Sequence, residues 1–203
     1  VEGPVPQFCM IGGKWTTFRA FAEQASDLVL AELGVSRSVE TSDLAIGGGA
    51  GFPGDAALRQ SLRQGFGISE ARAAHLADLY GTRAERVMAH CAAADDDRPL
   101  APDLEITAAE IGWLVRNEAV VRLSDIILRR TPLAITGRVD RALMETVAGI
   151  AAAVLGWSAE ETRRQCEALT AELEDYHGVS PRTLDQRTQN RSSIECASVP
   201  KPA

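Results

Sequence analysis

Apolar residues recur at three- and four-residue intervals over most of this chain, and that rhythm predicts helices. From Trp15 onward, Phe18, Phe21, Ala22, Ala25, Leu28 and Val29 trace one face, and Gly34 stands where a left-handed cap would end the helix. Residues 35–54 break the rhythm with Ser, Thr, Gly and Pro, close on IGGGAGFPGD, and read as a linker. The helical spacing then returns. Asp55 to Gln64 predicts a short helix, and Ser69 to Tyr80 a second that ends at Gly81. Thr82 with Glu85 makes a capping-box pattern ahead of Val87, Met88 and Cys91. After the acidic ADDDRP break, Thr107 with Glu110 repeats the box before Ile111, Leu114 and Val115. Ser124 is placed to cap DIILRR, which stops before Pro132. The strongest pattern is Val139 to Leu155, with Leu143, Val147, Ile150, Ala151 and Val154 on one face and Gly156 at its end. Ser158 with Glu161 opens a last helix through Thr162, Cys166, Leu169 and Leu173.

A single strand is predicted, around Phe8 to Ile11, and no second strand in the chain can pair with it. A lone strand is unstable, so its sheet is expected in a preceding part of a longer protein, as the absence of an initiator methionine at Val1 also suggests. Past Gly178 the sequence is polar and aperiodic and reads as a disordered tail. The expected fold class is therefore all-α. A multi-helix domain over 55–175 follows the last strand and helix of another domain in 1–34, with a linker over 35–54 and a tail over 176–203.

Composition narrows the chemistry. With 203 residues and 45% hydrophobic content the chain can bury a real core. A formal charge of -7 argues against a broad electrostatic grip on nucleic acid, and contact with an anionic membrane is expected to be peripheral at most. Cys9, Cys91, Cys166 and Cys196 lie far apart without a C-x-x-C pair or a neighbouring histidine, so neither a zinc site nor a disulfide framework is expected. A reducing cytoplasm fits that pattern. No run approaches the roughly 20 apolar residues that span a bilayer, and no secretory signal opens the chain.

Two glycine clusters invite a phosphate-loop reading. The P-loop template fails at Gly13 and Lys14, because Phe8 stands where a glycine is needed and Trp15 where a hydroxyl is needed. Gly49, Gly51 and Gly54 match G-x-G-x-x-G literally but lack the flanking strands, and a flexible connector is the better reading. The first cluster keeps chemical interest. Gly12 and Gly13 allow close backbone approach, Thr16 or Thr17 can cap a helix whose N-terminus favours negative charge, and Lys14 adds a cation. An ordinary strand-to-helix turn with an exposed lysine is the competing reading.

The segment IGGKWTTFRAFAEQASDLVLAELG resembles the one that closes the flavin domain of FAD-dependent glycerol-3-phosphate dehydrogenases, where G-G-K-[LW]-T-T-x-R leads into a helix. EIGWLVRNEAVVRLSDIILRRTPLAI is similar to that family's C-terminal domain, and with LYGTRAERV and AGIAAAVLGWSAEETRRQCEAL the resemblance covers roughly residues 7–173 in the family's order. It implies a chain that ends a FAD-binding domain and continues into the C-terminal helical domain. It implies oxidation of sn-glycerol 3-phosphate to dihydroxyacetone phosphate with FAD, and electron transfer to a quinone, or to oxygen in the oxidase branch. By resemblance Gly12, Gly13, Lys14, Trp15, Thr16 and Thr17 lie beside the flavin ring, and Lys14 near the flavin or the substrate phosphate. The family's G-x-G-x-x-G strand-turn-helix, its phosphate-binding arginines and its catalytic base region are missing. The chain alone is therefore expected to be inactive, with no catalytic residue of its own, and to have the N-terminal FAD-binding part of the same enzyme as partner. Trp15 replaces the family's common leucine.

Other polar residues read structurally. Asp125 and Arg129 are an i, i+4 pair, Arg130 beside them suits a helix-end contact, and Asn117 and Glu118 suit either a bridge to the flavin domain or helix-helix hydrogen bonds. His75, His90 and His177 are scattered without a recognisable catalytic partner, and Trp113 and Trp157 are expected as core anchors. The rival reading is a free-standing helical module that recruits a partner protein through an apolar groove. A transcription factor ranks below both, because no basic recognition helix accompanies the negative charge.

Overall fold

The computed structural model describes residues 5–12 and 14–198, with side chains described as far as residue 193. Two compact units follow one another along the chain, 1–50 and 51–203. Every named element among the described residues is helical.

The first unit is a single helix with an irregular return. A 3-10 turn, Trp15–Thr17, leads into α1, Phe18–Glu32. Gly34 ends the helix at φ 68, with Val35 N–H reaching back to Leu30 O at 2.9 Å. The residues after it fold back on α1 through polar groups. Arg37 pairs with Asp27 at 2.9 Å and Glu23 at 3.2 Å, Glu23 accepts the Thr41 N–H at 2.8 Å, and Arg19 donates to the carbonyls of Thr41 and Ser42. The first part of the stretch expected as a linker over 35–54 contacts α1 as far as Leu44, whose carbonyl also accepts from Arg19. No residue of α1 is buried; Phe21 and Leu30 are half-buried, while Phe18 at 55% exposure, Leu28 and Val29 are left exposed.

Phe8 to Ile11, expected as a strand, has no regular secondary structure here, and Ile11 is 84% exposed. The physical reason is the one that made the expectation unusual: extended backbone forms a strand only when a neighbour takes its N–H and C=O groups.

The second unit is a helical body around one core. Its elements are α2 (Asp55–Phe66), α3 (Glu70–Tyr80), α4 (Ala84–Ala92), α5 (Ala108–Asn117), α6 (Arg141–Leu155), α7 (Ala159–His177) and α8 (Pro181–Ser198). Ser69, Thr107 and Ser158 cap α3, α5 and α7 by accepting the N–H of Arg72, Glu110 and Glu161. Gly67, Gly156 and Gly178 end α2, α6 and α7 in the left-handed conformation. A 3-10 turn, Gly81–Arg83, takes in Thr82 and leads into α4 at Ala84, and Glu85 Oε1 accepts from Ser61 Oγ at 3.4 Å.

Helix α5 is the axis of this body, buried from Ala108 to Val115 and packed against α4 and α6. Leu62, Leu76, Ile111, Leu114, Met144 and Leu173 are among the fully buried side chains, drawn from five helices into one cluster. DIILRR forms a π-helical turn, Asp125–Arg130, whose Ile126 and Ile127 enter the same core. The tail read as disordered is helical from Pro181 to Ser198, and Leu184 is fully buried. Its inner face carries arginine and threonine beside that leucine, so an apolar period does not disclose it.

Candidate functional site

The glycine turn in the first unit is open on all sides that can be described. Gly12 has φ 135, a conformation that L side chains rarely adopt, and no atom lies within 4 Å of the place a Cβ would occupy. Gly13 lies outside the described residues. Lys14 is exposed and extended, at φ -108 and ψ 140, and Trp15 is 94% exposed. Thr17 occupies the position before α1, but its hydroxyl donates to Lys14 O at 3.2 Å instead of accepting a helix N–H, and Thr17 N–H reaches the same carbonyl at 3.0 Å. Thr16 is exposed within the 3-10 turn. The turn therefore presents a cation, a flat aromatic face and a helix entrance on one short stretch.

The second polar centre is buried in the helical body. Glu110, in the first turn of α5, is fully buried. Its Oε1 accepts from Tyr80 Oη at 2.7 Å and from His75 Nε2 at 2.8 Å, and its Oε2 receives Arg72 Nη1. Arg72 also donates to Glu105 O and, at 3.3 Å, to Thr107 Oγ1. Burial alone would raise the Glu110 carboxyl, but the His75 hydrogen bond and charge and the Arg72 guanidinium together hold it below the usual carboxylate range. The same burial and the neighbouring Glu110 charge push the Tyr80 phenol well above its usual value. Cys91, under Arg72, is pushed up to about 12 by burial and by Asp97. A thiol and phenol so disfavoured as anions, around a carboxylate whose oxygens are all occupied, make a joint between α3, α5 and the 98–107 loop; they do not make a nucleophile or a proton-transfer site.

His75, expected in a surface or packing role without a catalytic partner, holds a structural place in this joint, bonded to a buried carboxylate. A sequence signal did exist. Glu110 occupies the N3 position after Thr107, where a capping box would turn its side chain back to the helix start, but Arg72 and His75 lie three residues apart on α3 and draw it across instead. Trp113 is buried as expected and meets Tyr80 edge to face, with ring centroids 5.6 Å apart.

The polar residues around DIILRR stay within the body. Asp125 Oδ2 accepts the N–H groups of Val121 at 3.0 Å and Arg122 at 2.8 Å, while its pairing with Arg129 is looser at 3.5 Å. Glu118 lies between Arg83 at 3.7 Å and Arg130 at 3.4 Å, and Asn117 Nδ2 donates to Trp113 O at 2.9 Å. No group of three or more potential metal ligands, and no helix long and apolar enough to cross a membrane, occurs among the described residues.

A family model described as the C-terminal domain of alpha-glycerophosphate oxidase matches residues 39–162, more than half of the chain. The chain belongs to this family. The match to the glycerophosphate oxidase C-terminal domain takes in Arg72, His75, Tyr80, Glu110 and the π-helical turn, whereas the Gly12 turn precedes it and α8 follows it. A Dictyostelium discoideum protein named probable mitochondrial glycerol-3-phosphate dehydrogenase is 30% identical over 160 residues, which cover 77% of this chain and 25% of that relative. The aerobic glycerol-3-phosphate dehydrogenase of Escherichia coli (strain K12) is 32% identical over 134 residues, 64% of this chain and 26% of the relative. A glycerol-3-phosphate dehydrogenase of Mycobacterium leprae is 31% identical over 169 residues, 80% of this chain and 28% of the relative. The chain spans about a quarter of the length of these relatives.

Proposed function

We propose that this chain is the C-terminal portion of a FAD-dependent enzyme that oxidises sn-glycerol 3-phosphate to dihydroxyacetone phosphate and passes the electrons to a quinone. The observation that carries this reading is the family match across the helical body, reinforced by relatives whose names specify glycerol-3-phosphate dehydrogenase. A bound flavin would supply the redox chemistry in this reading, as the hydride acceptor for C2 of the substrate.

The residues of the first unit fit one edge of that group. Gly12 leaves its backbone open to close approach, Lys14 offers a charge to an electron-rich ring or to the substrate phosphate, and the entrance to α1 favours negative charge. Gly13, Trp15, Thr16 and Thr17 complete the same edge in this reading. The remainder of the flavin envelope belongs to an N-terminal FAD-binding part, the proposed partner. The exposed apolar side chains of α1 support that assignment, since Phe18, Leu28 and Val29 stay largely in solvent. The assembled enzyme is placed in the cytoplasm, with contact to the inner membrane face no more than peripheral.

The test is reconstitution. The purified 203-residue chain should be colourless, bind no FAD and oxidise no sn-glycerol 3-phosphate, and it should acquire saturable binding to a separately expressed FAD-binding part. Lys14→Ala should weaken substrate use by the reconstituted enzyme while leaving the fold of the free chain unchanged. A chain that is yellow and active by itself, or that ignores the FAD-binding part at all concentrations, would overturn the reading.

A further inference from the structure

Helix α8 is attached to the rest of the helical body mainly by polar contacts at one place, the N-terminus of α6. Leu184, Arg187, Thr188 and Arg191 stand three, four and seven residues apart and share one face. Thr188 Oγ1 accepts the N–H groups of Arg141 at 3.1 Å and Ala142 at 3.4 Å, the first turn of α6. Arg187 Nη1 donates to Val139 O at 3.0 Å, and Arg191 donates to Arg138 O at 2.9 Å, Asp140 Oδ2 at 2.5 Å and Asp103 Oδ1 at 3.2 Å. Arg141 Nε returns the contact to Asp185 at 2.5 Å.

Three features distinguish this attachment from the packing of the other helices. Leu184 is the one buried side chain among the described side chains of α8, whereas α6 buries Leu143, Met144, Val147, Ala148 and Ala151. Helix α6 keeps its own cap whether or not α8 is present, because Asp140 Oδ1 accepts Leu143 N–H at 2.8 Å. The connection from α7 is short, and its Gly178 sits at φ 66. A helix held largely by charge-assisted contacts, with Leu184 and the preceding Val179 as its apolar anchors, has low local stability, and its more exposed ion pairs, Arg141 with Asp185 and Arg191 with Asp103, weaken as salt screens them.

We propose that α8 is a releasable strap. It swings away from α6 at Gly178 while the helical body stays folded, and it uncovers an acceptor-rich seat formed by Asp103, Asp140 and the carbonyls of Arg138 and Val139 around the socket of Leu184. The device is independent of the flavin reading, because it uses contacts within the helical body alone.

Amide hydrogen exchange on the full 203-residue chain tests it. Raising salt from about 50 mM to about 1 M should speed exchange in α8 roughly tenfold while α5 and α6 hold their protection. Arg191→Gln should speed α8 exchange already at low salt and flatten its salt response, again without a change in α5 or α6. Protection of α8 equal to that of α6, insensitivity of α8 to both salt and Arg191→Gln, or loss of α6 protection in step with α8 would each overturn the strap.

Discussion

His75 Nε2 lies 2.8 Å from Glu110 Oε1 and joins α3 to the first turn of α5 inside the helical body. With Arg72 on the other carboxylate oxygen, the pair makes a buried charge whose compensation comes entirely from a neighbouring helix. Interactions of this kind tie two elements to one arrangement more than they add net stability, but removing one partner is costly.

Glu110→Ala would leave the Arg72 guanidinium buried without its counter-charge and take from Tyr80 and His75 their acceptor. The expected loss is about 3–5 kcal/mol in urea unfolding, the range for breaking a buried pair. Glu110→Gln keeps the volume and one acceptor oxygen and should lose less. A loss under about 1 kcal/mol for Glu110→Ala would show that water replaces the carboxylate and that the joint contributes little.

The depressed Glu110 carboxyl also fixes the sign of an acid dependence. A carboxylate whose folded value is lowered stabilises the protein fully above its unfolded value, about 4.3, and that stability disappears as pH falls through the folded value. The difference in unfolding free energy between wild type and Glu110→Gln should therefore shrink as pH falls below about pH 4. A gap that stays constant down to pH 3, or widens there, would place the group's ionisation outside the folding equilibrium.

Helix positions were legible where apolar residues carry the period, as in α6, and where caps flank it, as with Ser158 and Gly156. Helix α8 was not, because its buried face is Leu184 with arginine and threonine, and a count of apolar residues scores that as polar chain. The Glu110 centre was half legible. Thr107 and Glu110 have the spacing of a capping box, and Thr107 does cap α5, but which partner the glutamate takes is decided by the distant Arg72 and His75 on a helix that packs across it. The π-helical turn at Asp125–Arg130 left no sequence sign of its unusual winding beyond an apolar run ending before Pro132. At the Gly12 turn the residue types were legible and the surroundings were not, since no neighbour comes within 4 Å of the place a Cβ on Gly12 would occupy.

Asp125 and Arg129 give a direct comparison between a backbone contact and a surface ion pair. The Asp125 carboxylate receives two N–H groups, of Val121 and Arg122, that the chain leaves otherwise exposed at this corner, so Asp125→Ala should cost about 1–2 kcal/mol, as loss of a helix cap does. Arg129→Ala should cost about 0.5 kcal/mol or less, because its pairs with Asp125 and Glu172 are long and its side chain is largely in solvent. Equal costs in denaturant titrations would mean that the ion pair, and not the backbone, is what Asp125 serves.

Ala119 follows the end of α5 with φ 52, a left-handed conformation that a Cβ disfavours. Its side chain is exposed, so Ala119→Gly removes strain without removing packing. The expected gain is about 0.5–1 kcal/mol, net of the greater freedom glycine has in the unfolded chain. A loss on substitution in the same unfolding measurement would show that the neighbouring Val120, which is buried, already holds this conformation without strain.

Cys91 and Cys9 should separate cleanly by reactivity. Cys91 is buried beneath Arg72, and burial with the nearby Asp97 charge pushes its thiol up to about 12; Cys9 is exposed. At pH 8 a thiol of that kind is ionised on the order of one part in ten thousand, and the thiolate is the reacting species. Brief alkylation of the native chain followed by peptide mapping should label Cys9 heavily and leave Cys91 unmodified. Labelling of Cys166, half-buried and raised in the same direction by burial and by Glu145, should fall between them. In Glu110→Ala the lost joint should loosen α3 against α5 and bring Cys91 into the labelled set under otherwise native conditions, because Arg72 then has no fixed carboxylate to hold it over the thiol. Unchanged protection of Cys91 in that variant would mean that the apolar core of α4, with Val87 and Met88, shields the thiol without help from the buried charge.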